Sequence, residues 1–108
     1  MANNFKLKTK ANVGVTTSNV YAVPSATTAV VIGVTLANTS GSSINVGIGI
    51  NRGANDDVKL MKSVPIPQGS SFEFMGGNKV VLETTDTFTA VSDVNNSLDV
   101  ALTIMEIT

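Results

Sequence analysis

The stretch Ile44-Asn45-Val46-Gly47-Ile48-Gly49-Ile50-Asn51 alternates apolar side chains with small or polar ones at a period of two. In an extended chain successive side chains point to opposite faces, so Ile44, Val46, Ile48 and Ile50 share one face. A strand that is half apolar and half polar belongs in an antiparallel sheet with one side against a core. The carboxyl-terminal segment repeats the pattern: Leu98, Val100, Leu102 and Ile104 face one way, and Asp99, Ala101 and Thr103 the other. Met105 and Ile107 make that second face partly apolar. Between these lies Ala29 to Asn38 (AVVIGVTLAN), apolar nearly throughout, which reads as a central strand. Together the three segments predict a core of Ile32, Val34, Leu36, Val46, Ile48, Val100 and Leu102 between two sheets.

Working outward, further strands are expected at Phe5–Lys10, Ser18–Val23, Val58–Val64, Ser71–Met75, Val80–Leu82 and Thr87–Ser92. Turn chemistry separates them. Asn38-Thr39-Ser40-Gly41-Ser42 is expected to be a hairpin loop, Asn51 to Asp57 (NRGANDD) a longer polar loop, and Gly76-Gly77-Asn78 a tight turn. Pro65 and Pro67 flank Ile66 and should end a strand or sit on an edge, because proline cannot donate to a ladder. The result is an all-β chain: a single antiparallel β-sandwich, jelly-roll or immunoglobulin-like, with about eight or nine short strands. At 108 residues it forms one domain, with residues 1–12 either a docking arm or an edge strand.

Composition agrees. Val and Thr, stiff at χ1, suit a pleated surface, while Gly, Asn and Ser supply turns. Charged residues are only 14% of the chain and hydrophobic residues 43%, which fits a subunit that lives in an assembly. The absence of Cys excludes disulfides, thiolate metal sites and cysteine nucleophiles, and the absence of His removes the commonest general base and transition-metal ligand. The chain reads as non-enzymatic, with no catalytic residue and no cofactor. Nor is there a membrane-length apolar run or a hydrophobic leader core in Met1 to Lys10, so a soluble protein is expected.

Four groups could carry chemistry. Asp93-Val94-Asn95-Asn96-Ser97-Leu98-Asp99 offers oxygens at alternate positions but lacks the glycine and closing glutamate of a calcium loop, so it reads as an Asx-rich turn and no metal is expected. Asp56 and Asp57 are adjacent, which on an extended chain sends them to opposite faces, and they read as loop solubilisers. Gly76-Gly77 lacks the lysine and helix of a phosphate loop.

The fourth group is more informative. Lys6, Lys8 and Lys10 fall on one face of the first strand, with Phe5, Leu7 and Thr9 on the other, and no acid precedes Asp56. Two readings stand open: an edge strand guarded by lysines, or a basic arm docking on an acidic neighbour, including Glu83, Asp86 or Asp93 of an identical copy. Phe5, Lys6, Leu7, Lys8 and Lys10 are the candidate interaction residues. Nucleic-acid binding is not expected, since three lysines without interleaved aromatics give weak phosphate affinity and no base stacking.

Val20-Tyr21-Ala22-Val23-Pro24 with Thr27-Thr28-Ala29-Val30-Val31-Ile32-Gly33, then Val64-Pro65-Ile66-Pro67-Gln68-Gly69-Ser70-Ser71, Lys79-Val80-Val81-Leu82-Glu83-Thr84-Thr85-Asp86, and the end from Ser97-Leu98-Asp99-Val100 through Met105-Glu106-Ile107-Thr108 form an ordered set. Together they resemble small virion structural proteins of tailed phages, particularly marine and cyanobacterial ones. The resemblance implies a non-enzymatic virion component, made in the host cytoplasm and carried on the particle surface. Its first expected role is a capsid decoration (cement) protein, a homo-oligomer bound in many copies to the head with the major capsid protein as partner. A tail, neck or fibre-associated module is the alternative. Carbohydrate binding ranks lower, because Tyr21, Phe5, Phe72, Phe74 and Phe88 are few and mostly sit at expected core positions. No small-molecule substrate and no membrane partner are expected.

Overall fold

A computed structural model of the chain describes residues 3–53, 57–74 and 80–108. Among the described residues are nine strands: β1 (Asn3–Val13), β2 (Ser18–Ala22), β3 (Thr28–Asn38), β4 (Ile44–Asn51), β5 (Val58–Ile66), β6 (Ser71–Phe74), β7 (Val80–Leu82), β8 (Thr87–Ser92) and β9 (Leu98–Ile107). They form two antiparallel sheets, one ordered β1-β9-β3-β6 with β7 also on β3, the other ordered β2-β8-β4-β5. β6 pairs with Val34–Ala37 and β7 with Ala29–Val31, so the two share one strand position end to end. Counted that way the order is that of an eight-position jelly roll, and the immunoglobulin-like alternative falls away. The predicted Gly76-Gly77-Asn78 turn, Met75 and Asp56 lie outside the described residues.

β9 is the spine. Its alternation is unbroken: Leu98, Val100, Leu102, Ile104 and Glu106 point inward and are buried. They meet Ile44, Val46, Ile48 and Ile50 of β4 and Phe88 of β8 in one core between the sheets. Pro65 sits exposed on β5, the edge strand of its sheet, and delivers Ile66 to the core, as the missing amide requires.

Two expectations need correction. Ile32 is only half buried, because a bulge between Val31 and Gly33 shifts the phase of β3. Before the bulge the odd residues Ala29 and Val31 face inward, and after it the even residues Val34 and Leu36 do. An inserted residue reverses every side chain on one side of it. The other predicted core residues are all buried.

The second correction concerns 38–42. β3 and β4 lie in different sheets, so this segment is an arch that carries the chain across the sandwich, not a hairpin. Buried Asn38 organises it. Its Nδ2 donates to the carbonyls of Ser42 (2.8 Å) and Ile66 (2.9 Å), while Oδ1 accepts from the amide (2.9 Å) and hydroxyl (2.8 Å) of Ser40. Turn-forming residues announce a reversal, but they do not say whether it stays within one sheet.

Candidate interaction surface on the first strand

β1 lies at the edge of the five-stranded sheet and pairs with β9 from Asn3↔Ile107 to Lys10↔Val100. Its polarity is inverted relative to an ordinary half-buried strand. Lys6 and Lys8 project toward the space between the sheets, while Phe5 (71% exposed) and Leu7 (64%) project from the outer face. Lys10 is exposed. A second bulge, between Lys10 and Val13 and containing Asn12 at φ 58°, restores the usual polarity and carries Val13 into the core.

Glu106 makes the inversion stable. Its Oε1 takes the Lys6 ammonium at 2.8 Å and its Oε2 accepts from the Tyr21 hydroxyl at 2.5 Å. Tyr21 belongs to β2, so this carboxylate ties the edge of one sheet to the edge of the other. Lys8 Nζ stands 5.7 Å from the centre of the Tyr21 ring, within cation–π range. The hydrogen bond from Lys6, then that from Tyr21, hold the Glu106 carboxyl below its usual range despite its burial. Burial first, then the bond and charge of Glu106, push the Tyr21 phenol well above the ordinary tyrosine range.

On the docking-arm reading the lysines face carboxylates on a neighbouring copy. Lys6 instead takes a carboxylate of its own chain. The acids proposed as acceptors are similarly engaged: Arg52 binds Glu83 (2.7 Å) and Asp86 (3.1 Å), and Asp93 accepts from the Asn45 amide (2.9 Å). Asp99, at the far end of the Asx-rich turn, accepts from the Asn12 amide at 3.0 Å. Asp57 is exposed in the β4–β5 loop. Among the aromatics, Phe88 and Tyr21 are buried, whereas Phe5 and Phe72 are exposed.

Neither Tyr21 nor Glu106 stood out in the sequence as a functional residue. The signal was present for Glu106, which continues the inward phase of Leu102 and Ile104; an acid in that phase demands a buried partner. Tyr21 could be paired with it only once the two sheets were in place.

The apolar exposure continues beyond β1. Register places Phe5, Met105, Val30 and Val81 side by side across four strand positions, all facing away from the core. Val81 is 57% exposed. What the arrangement offers is contact area in place of reactive groups, and among the described residues no cluster of three potential metal ligands gathers.

No family model and no curated protein matches the chain. Among solved structures, it is similar in fold to a chain from the structure titled "Bacillus endospore appendages form a novel family of disulfide-linked pili". That similarity has a TM-score of 0.59 at 16% identity and covers 99% of this chain and 87% of that one.

Proposed function

We propose that this protein is a non-enzymatic structural subunit that works by repeated association with copies of itself and with other proteins of a larger particle. The observation that carries this is the inversion of β1: a strand that turns Lys6 and Lys8 inward, holds them with a buried Glu106 and Tyr21, and presents Phe5 and Leu7 outward. Two large apolar side chains on one edge strand are costly in a solitary protein and useful in an interface. The weak charge of the chain acts in the same direction. The pilus-derived fold neighbour is consistent with such a role, although a disulfide link has no counterpart in a chain without cysteine.

The narrower reading, from the resemblance to tailed-phage proteins, is a decoration protein on the outside of a phage head, with a tail, neck or fibre module as the alternative. Many modest contacts per particle would then sum to mechanical support. The test is sedimentation of the purified protein together with electron microscopy of particles formed in its presence. Ordered density for this fold on the head surface supports decoration, and density on the tail selects the alternative. A protein that stays a single copy and joins no particle overturns the proposal.

A further inference from the structure

The outer face of the five-stranded sheet is shaped to receive a second copy of itself. Its rows can be read from the register. The first is bulky: Phe5, Met105, Val30, Val81. The second holds Leu7, Thr103 and Gly33, and the third Thr9, Ala101 and Thr35, ending in Glu73. Beyond them Asp99 pairs with Ala37. The face is therefore thick at one end and thin at the other. At the thin end Thr9, Ala11, Thr35, Ala37 and Ala101, together with the charged Lys10 and Asp99, line an open trough of about 240 Å³.

We infer that two copies pack these faces together about a two-fold axis that lies across the strands at the level of Leu7 and Thr103. This rests on the reading of the protein as a self-associating subunit and names the surface used. Such an axis reverses the strand direction between copies and lays the bulky row of each over the small-residue row of the other. Phe5 then meets the partner's Thr9, Met105 the partner's Ala101, and Val30 the partner's Thr35, each contact made twice, as a two-fold interface requires, while Val81 and Glu73 meet at the rim. The other two-fold stacking, about an axis along the strands, keeps each row level and reverses the strand order, so it would lay Phe5 on the partner's Val81 and Met105 on the partner's Val30, bulk on bulk, and leave the troughs facing each other. It would also gather Asp99 and Glu73, the acids that the pairing places on this face, with those of the partner at one end. In the reversed arrangement these acids move to opposite ends.

The dimensions suffice. Three strand positions of about ten residues and the residues of β6 and β7 at the fourth, at about 4.8 Å by about 3.4 Å each, give a face of about 600 Å² per copy, so a pair reaches the lower end of stable specific interfaces, about 1,200 Å². Away from Asp99 and Glu73 the described part of the face is uncharged, and bulk and trough on the same surface make it complementary to itself.

The test uses the full chain. Met105→Lys and Ala101→Glu each place a charge under the partner without touching the core, and each should weaken dimerisation roughly tenfold or more in sedimentation. The double variant sets each new lysine against a new glutamate of the partner and should recover most of the loss. Leu7→Cys, near the axis in a chain with no other cysteine, should be joined to its own copy by a short bismaleimide, and the exposed Val15→Cys should not. Melting temperatures confirm that every variant is folded. Single variants that dimerise like the parent, or a double variant no better than the singles, overturn the pairing while leaving self-association through another surface intact. A parent chain that stays single overturns the pairing as well, and the particle measurement then decides the broader proposal separately.

Discussion

The hydroxyl of Tyr21 on β2 donates to Oε2 of Glu106 on β9 at 2.5 Å, across the gap between the two sheets. Because Lys6 of β1 takes the other oxygen, three strands meet at one carboxylate. Removing the phenol oxygen leaves a buried acceptor with half its partners. Tyr21→Phe should therefore cost about 1–3 kcal/mol in urea unfolding. A loss near zero would mean that Lys6 alone holds Glu106.

The same pair fixes a pH profile. Glu106 titrates below its usual range in the folded protein, so its contribution is present above the unfolded carboxylate range and is lost as pH falls through the folded value. Tyr21 is shifted upward, so its contribution is present below the ordinary tyrosine value of about 10 and fades as pH rises beyond it. Melting temperature should hold level between these limits and fall on both sides. Lys6→Met removes the largest cause of the Glu106 shift and should flatten the acid limb.

Two large apolar residues that look equivalent in the sequence should differ sharply in cost. Leu102 is fully buried on the inward phase of β9, and Leu102→Ala should cost about 2–5 kcal/mol. Ile32 lies half buried at the bulge in β3, and Ile32→Ala should cost well under half as much. Equal losses would place Ile32 back in the core.

Glycines separate in the same way. A Cβ on Gly49 would lie 2.8 Å from the Val58 carbonyl oxygen, where β5 bulges over β4, whereas Gly33 has nothing within 4 Å. Gly49→Ala should destabilise by about 1–3 kcal/mol through overpacking. Gly33→Ala should be neutral or stabilise by up to about 1 kcal/mol, since alanine loses less backbone entropy. Thermal unfolding of the two variants side by side decides this.

What could be read from the sequence depended on whether a strand kept one phase. β9 does, and its inward set Leu98, Val100, Leu102 and Ile104 was legible residue by residue. β3 does not, and nothing in AVVIGVTLAN marks where the bulge falls, because both faces are apolar. The Asn38 arch was legible as a break but not as a crossing, since its target, the Ile66 carbonyl, lies 28 residues away in the chain. For β1 the split of lysines from Phe5 and Leu7 was visible. Which side faced inward depended on Glu106, at the opposite end of the sequence.

That dependence decides how the first strand should be tested. β1 supplies the ladder along β9, covers Glu106 and brings Val13 to the core. Deleting residues through Lys10 would turn β9 into a long bare edge and leave Glu106 short of its cation. The truncated chain should be destabilised and aggregate, which says nothing about docking. Replacing Phe5 and Leu7 together with serine leaves the ladder, Lys6 and Lys8 in place and alters only the outer face. This variant should keep its melting temperature within a few degrees and lose association in sedimentation. Exposed ion pairs contribute little, so raising salt on the parent protein should weaken its assembly less than the serine substitutions do. If salt dissolves the assembly while the serine variant assembles normally, contact is made through charged loops and the outer face of β1 is not the interface.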